Sequence, residues 1–342
     1  MNLIAPLLAD RSPNLRMLVL RDLLGRTTDD AEIVELTALK TRDPLVGDLT
    51  ALQRDDGSWR RGDGSWRGHT HPLMMTCMAL VRLGYLGFGA EHDAVRRGAE
   101  FLFARQKHDG SWALPRVIED DAEGVTETSL QTSMPLRALA LCGYATEARA
   151  EKAYEWLSSR RLDDGAWPTG KTRGDFKRVA GYRRLAHSKL GCRANTTAAL
   201  QCLSLHPVRR SSPEARRGLD LLLGRETRDA HALGFEVARL MGAEPVRGFI
   251  SFFARFDTAL VLDLCARIGA SREDARVADA IEFVTALQGP NGLWSHRSAP
   301  HCDRWLSYDI LRSLSRIDES TDWISMEPRT PFQPYGRKRK RY

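Results

Sequence analysis

No apolar run in this chain approaches the ~20 residues needed to cross a bilayer, so no membrane span is expected. The six cysteines (77, 142, 192, 202, 265 and 302) are scattered, with no Cys-x-x-Cys pair. That pattern reads as free thiols in a reducing compartment and argues against a disulfide framework. Convincing strand alternation is missing, which argues against a sheet. The opening, Met1-Asn2-Leu3-Ile4-Ala5-Pro6, lacks the basic-then-apolar layout of a secretory leader, and a cytoplasmic location is expected by default. Excess charge is also scarce: 51 Lys and Arg face 44 Asp and Glu. Five of the net +7 come from Arg337, Lys338, Arg339, Lys340 and Arg341, so the body is nearly neutral. Such a tail is a solvated end that could touch nucleic acid or an anionic membrane surface.

What is present is repetition. Gln53-Arg54-Asp55-Asp56-Gly57-Ser58-Trp59 returns as Gln106-Lys107-His108-Asp109-Gly110-Ser111-Trp112. Weaker copies end at Trp167 and Trp294, and the long gap between them leaves room for a worn copy near Leu223-Gly224-Arg225-Glu226. Recurrence at this spacing means stacked copies of one helical unit. Asp-Gly suits a tight turn, because glycine takes positive φ without a Cβ clash. The Gln should close the preceding helix and reach backbone groups of the turn. The Trp should fold back over that helix end, its indole N–H seeking an acceptor.

Helical periodicity fills the rest. Ser12 followed by Pro13 predicts a capped helix over 13–24, and further helices are expected over 30–40 and 44–53. More apolar helices are predicted over 71–84, 126–143, 192–205, 255–269 and 303–317. Amphipathic ones are predicted over 93–106, 147–159, 213–224 and 273–288. Apolar-all-round helices belong inside and amphipathic ones outside, so the alternation implies an inner and an outer ring. Closure is favoured because an open ring would expose a large apolar wall. The expected fold is all-α, an α/α toroid with a short helical N-terminal extension. The expected parts are that extension over 1–42, the toroid domain over 43–320 and a basic tail over 321–342.

The Gln-x-x-Asp-Gly-Ser-Trp phrases at 53–59 and 106–112 resemble the repeat motif of the squalene–hopene cyclase and protein prenyltransferase α/α-toroid superfamily, over about residues 45 to 317. The segment from Ser12 to Gly25 resembles the opening of small standalone squalene cyclase-like proteins of bacteria and archaea. The resemblance implies inner helices around a deep cavity that takes an isoprenoid or other apolar or amphiphilic small molecule. It also shows departures. Squalene–hopene-type cyclisation uses an acid from an Asp-x-Asp-Asp-Thr-Ala motif. Here the match is Ala254-Arg255-Phe256-Asp257-Thr258-Ala259, with Phe256 where the acid would stand. A phenyl ring cannot protonate an alkene, so protonation-initiated squalene cyclisation is not expected. The zinc-dependent prenyltransferase pattern needs an Asp-x-Cys pair and a His at inner-helix starts, and Met75 lies where that His would fall before Thr76-Cys77. Asp120-Asp121 does not complete a diphosphate–metal motif, because position 124 is Gly.

Candidate site residues follow. No cofactor is required, but His69, His71, His301, Cys302 and Asp303 have ligand chemistry for Zn²⁺ if ring closure brings first and last units together, with His296 beside them. Asp257 and Asp303, near inner-helix starts, are the candidate acids or bases. Substrate contacts are expected from Arg193, Asn195, Arg255, Phe256, Trp305 and Tyr308. The basic loop 168–191 adds Lys177, Arg178, Arg183 and Arg184, placed to meet an anionic head such as a diphosphate. The leading expectation is an isoprenoid-binding toroid of unspecified reaction, whether or not an enzyme. The alternatives are a non-catalytic scaffold and a nucleic-acid-associated protein using the basic loop and tail.

Overall fold

The computed structural model describes residues 4–59, 71–113, 128–169, 185–224, 233–242, 257–318 and Thr330. Among them every regular element is helical, and the one extended pairing is a bridge from Gln53 to Trp59 inside a repeat phrase. In chain order the helices are α1 (Ala5–Leu8), α2 (Pro13–Asp22), α3 (Ala31–Leu39), α4 (Pro44–Ala51), α5 (Pro72–Tyr85), α6 (Asp93–Phe103) and α7 (Ser129–Leu139). Then come α8 (Ala148–Ser159), α9 (Arg193–Leu203), α10 (Pro213–Leu223), α11 (Phe235–Leu240), α12 (Thr258–Ile268), α13 (Ala275–Ala286) and α14 (Asp303–Arg316). Their starts are chemically marked. Ser12, Asp30, Asp43, Ser212 and Asp274 each accept a backbone N–H from the first turn that follows. Thr128 and Gln131 form a reciprocal capping box at α7.

Each repeat phrase is a clasp of the expected kind. The indole N–H of Trp59, Trp112, Trp167 and Trp294 donates to the carbonyl ten residues earlier, Leu49, Leu102, Leu157 and Val284, at 2.7–2.8 Å. Their backbone N–H groups donate to a hydroxyl on the next inner helix: Thr76, Thr132, Thr196 and Ser307. One tryptophan thus pins the end of an outer helix to the first turns of the inner helix after it. Gln106 Nε2 donates to Gly110 O (2.9 Å) and to Arg149 O (2.8 Å) on the following outer helix, and Gln53 does the same with Gly57 and Ala94. The clasp therefore also sets the spacing between units. Gly110 has φ +91°, and a Cβ there would lie 2.4 Å from Lys152 O, so only glycine admits both the turn and the close approach.

The inner helices are α5, α7, α9, α12 and α14. α5 packs on α7, α7 on α9, and α12 on α14, while outer helix α10 joins α9 to α12. The ring closes where α5 meets α14. Tyr85 Oη donates to Asp309 Oδ1 at 2.9 Å, and the Tyr85 and Trp305 rings lie 5.9 Å apart. The N-terminal helices back this seam, with α1 and α2 packed on α14 and the Tyr308 hydroxyl bonded to Asp22. One large core runs through the ring and includes the four clasp tryptophans.

Two features differ from the sequence expectation. The inner helices are not poor in charge: Arg82, Arg137, Asp263, Arg267, Asp309 and Arg312 project from them. Arg137, Asp263 and Arg312 are paired across neighbouring helices, which composition alone cannot reveal. The short helix α11 was also unforeseen. It packs on α5 and α14, and Leu240 O accepts from Arg82 Nε.

Gly110→Ala should destabilise the protein by about 3 kcal/mol, the sum of a left-handed backbone cost and a collision with unyielding backbone. Gly25 has φ +64° with nothing within 4 Å of its Cβ position, so Gly25→Ala should cost about 1 kcal/mol. Urea unfolding of both variants measures the difference; equal costs would mean that the clasp does not set the unit spacing.

Candidate functional site: a charged cavity inside the ring

Because every clasp ties an outer helix to the start of the next inner one, the inner helices run in the same sense. Later turns of α5, α7, α9 and α14, together with α12 from its first turn onward, line one cavity of about 60 Å³. α5 contributes Tyr85, α7 Arg137, α9 Gln201, α12 Asp263 and Arg267, and α14 Asp309 and Arg312. Helix α11 covers it with Glu236, Val237 and Leu240, and the apolar lining includes Leu141, Leu205, Ala259 and Leu260. The expected greasy chamber is thus a mixed one. A space of this size holds a few water-sized groups, not a folded hydrocarbon chain. Partial negative charge at helix C-termini favours the arginines found there.

The charges form two linked sets. Glu236 Oε1 takes Arg137 Nη2 at 2.5 Å and Arg239 Nη2 at 3.0 Å. Burial works against the Glu236 charge, but the two guanidiniums prevail and hold its carboxyl below the usual range. Burial lowers the Arg239 guanidinium to about 10 against the opposing pull of Glu236. In the second set Asp263 takes Arg267 Nε at 2.8 Å and Arg312 Nη2 at 3.2 Å. Burial again opposes ionisation, yet the arginines keep Asp263 at about 2.

Asp309 differs. Its Oδ1 receives the Tyr85 hydroxyl (2.9 Å) and faces Arg312 Nη2 (3.1 Å). Its Oδ2 has no partner among the described residues. Burial pushes this carboxyl up to about 6; Arg312 opposes the shift and the nearby Asp263 charge reinforces it. Asp257, at the start of α12, is pushed up to about 7 by burial. Three backbone donors oppose that shift: Gly234 N (3.0 Å) and Ala259 N (3.1 Å) on Oδ1, and Glu236 N (2.9 Å) on Oδ2. Asp257 therefore caps two helices at once, α12 and α11, and joins them.

The residues singled out from sequence fall in several places. Asp257 lines the cavity. Asp303 opens α14, where its Oδ1 accepts His296 N at 2.7 Å. Asn195 is buried and its Oδ1 accepts Leu130 N at 2.8 Å, tying α9 to α7; Arg193 begins α9. Trp305 is buried at the seam, and Tyr308 turns its hydroxyl toward α2. His71 caps α5 through Nδ1, His301 is exposed, and Cys302 is buried with Ala238 and Ala299. Among the described residues no three His, Cys, Asp or Glu side chains gather as a metal site would require. His69, Lys177, Arg178, Arg183, Arg184, Arg255, Phe256, Asp120, Asp121 and the tail Arg337 to Arg341 lie outside the described residues. No described helix is long and apolar enough to cross a membrane. Tyr85, Gln201, Asp263, Arg267, Asp309 and Arg312 were not foreseen, because they lie beyond the first turns of the inner helices, where no cap or turn chemistry marks them. The signal was present as Asp263 and Arg267 four apart on one inner helix and Asp309 and Arg312 three apart on another.

Comparisons with known proteins agree with the repeat motif. Residues 40–189 match the family described as squalene–hopene cyclase C-terminal domain. Lanosterol synthase erg7A of Aspergillus fumigatus is 30% identical over 157 residues, which are 45% of this chain and 20% of that protein. This chain therefore spans about a fifth of that relative. Among solved structures, the type II terpene cyclase MstE from Scytonema with merosterolic acid A is similar at 16% identity and a TM-score of 0.35, covering 80% of this chain and 94% of that one. A protein from Actinoplanes is similar at 17% identity and a TM-score of 0.31, covering 80% and 97%.

These findings correct the functional expectation drawn from Phe256. The matched family and the curated relative are squalene–hopene and lanosterol cyclases, the kind that the expectation had set aside. The reading of an unspecified toroid, with scaffold or nucleic-acid alternatives, is withdrawn with it. The motif position held by Phe256 does not exhaust the carboxyls available, since Asp257, Asp263 and Asp309 line the cavity.

A carboxyl held above its unfolded value favours folding at low pH, and that contribution is lost as pH rises from about 4 through the folded value. For Asp309 the window runs from 3.8 to about 6. Asp309→Asn should therefore flatten the fall in stability across pH 4–7 by up to about 3 kcal/mol. Denaturant melts at pH 4.5 and 7.5 measure it, and an unchanged slope would show that Asp309 is ionised throughout.

Proposed function

We propose that this chain, a member of the α/α-toroid superfamily of squalene–hopene and terpene cyclases, is a protonation-initiated isoprenoid cyclase or isomerase in which Asp309 supplies the proton. The observation that carries this reading is the state of that one carboxyl. It faces the cavity, keeps one oxygen without a partner among the described residues, and is pushed upward by burial. Tyr85 and Arg312 hold Oδ1 and leave Oδ2 to carry the proton. In the step, the Oδ2–H bond breaks and a new C–H bond forms at the terminal alkene carbon. A tertiary carbocation is left beside the Asp309 carboxylate. The cation is discharged by ring closure and loss of a proton from a neighbouring carbon, or by addition of water, and a proton returns to the site. The Tyr85 ring at the cavity wall offers a π-face to the cation.

Asp257 is the second acid of the cavity but a poorer donor. Both its oxygens are taken by N–H groups, and protonation would weaken at least one of those bonds. The cavity's size points to enclosure of the reacting end of a short linear isoprenoid, not of a whole thirty-carbon chain. Kinship with small standalone squalene cyclase-like proteins, read from Ser12 to Gly25, belongs to the same proposal.

Protonation at carbon leaves a solvent-derived hydron in the product. Farnesol and geranylgeraniol incubated with the protein in D₂O should give products one deuterium heavier by mass spectrometry. Asp309→Asn should lower their formation at least ~100-fold, the usual scale for loss of an acid–base group. Tyr85→Phe should lower it less. Product without deuterium, or an Asp309→Asn variant as active as the parent, would end the reading.

A further inference from the structure

The cavity contains polar groups that the protonation step does not use. Gln201, on α9, is only 3% exposed and lines the cavity, yet neither Nε2 nor Oε1 has a hydrogen-bond partner. A side-chain amide offers two donors and an acceptor, and burying all of them unpaired is costly. Native structures rarely keep such a group without a reason. Across the cavity lining, Arg267 on α12 gives Nε to Asp263 at 2.8 Å, and neither of its Nη atoms has a partner among the described residues. Asp263 is already answered by Arg312 as well, so the Arg267 fork is not used up in neutralising it. The other lining guanidiniums are engaged, Arg137 by Glu236 and Arg312 by Asp263 and Asp309.

We propose that Gln201 and Arg267 form a head-group site for a carboxylate within the central cavity. Arg267 would present its Nη donors to the carboxylate, the geometry in which arginine forks bind best. Gln201 Nε2 would donate to the same group, and its Oε1 would accept from a hydroxyl next to the carboxylate. The inference rests on the isoprenoid reading for the apolar part of the ligand only. It makes the substrate a short oxygenated isoprenoid acid, oriented by its head.

The test uses the full chain, titrated calorimetrically with farnesoic acid, with the hydrocarbon farnesene, and with benzoate, which has the head without the chain. Farnesoic acid should bind more tightly than farnesene. Gln201→Met and Arg267→Met should each weaken it at least about tenfold and leave farnesene unchanged. Unliganded Gln201→Met should melt about 2–4 °C higher than the parent, because an unpaired buried amide has been removed. Farnesoic acid and farnesene binding alike, both indifferent to the two substitutions, would overturn the head-group site and leave the isoprenoid reading standing. A lower melting temperature in Gln201→Met with unchanged affinity would also overturn it, since that marks a structural amide. Benzoate binding lost in both variants, with farnesoic acid no tighter than benzoate, would support the head-group site and end the isoprenoid reading.

Discussion

The donation of each repeat-phrase tryptophan indole to the carbonyl ten residues before it is the bond on which the architecture turns. It fixes where an outer helix ends, and the same residue's backbone N–H fixes where the next inner helix begins. Inner helices laid down this way share one direction. Their later turns must then gather at one end of the ring, and their C-terminal dipoles gather with them. Arginines at Arg137, Arg267 and Arg312 answer that field, and carboxylates at Glu236 and Asp263 answer the arginines. A charged interior is thus a consequence of the repeat, not an exception to it.

Much of the fold could be read from the sequence because it is written in local chemistry. Ser12-Pro13 and the glycines of the repeat phrases mark helix limits within a few residues, and the structure keeps those limits. The cavity was harder to read because its chemistry is not local. Tyr85 and Asp309 are 224 residues apart and meet only through closure of the ring. The inner helices look apolar by composition, and a lone Asp309 or Arg267 in such a helix carries no sign of its partner. Helix α11 escaped because six residues give too little periodicity, and its start at Gly234 lacks a side-chain cap of its own. Its cap is borrowed from Asp257, which sequence showed as the start of one helix and structure shows as the start of two.

The two raised carboxyls show why burial alone does not define a proton donor. Asp257 and Asp309 are both pushed upward by loss of water. At Asp257 the carboxylate form is answered by three fixed N–H groups at two helix starts, so protonation weakens the joint between α11 and α12. At Asp309 the answering groups, Tyr85 and Arg312, both sit on Oδ1. Gaining or losing a proton on Oδ2 leaves that anchorage intact. A group that must cycle between two protonation states needs this asymmetry more than it needs any particular pKa.

The unpaired amide of Gln201 bears on the same question from the side of stability. Leu200, Cys202 and Leu203 around it in α9 are fully buried and apolar, and a methionine would suit position 201 better on packing grounds alone. The ring keeps instead a group whose hydrogen bonds are left unmade, in a cavity that Arg267 also lines. Groups that lower stability in a cavity while raising its capacity to bind are the usual mark of a functional site. Gln201 and Asp309 have this in common: each lines the cavity and each is suboptimal for folding, the one by unmade hydrogen bonds and the other by a buried carboxyl.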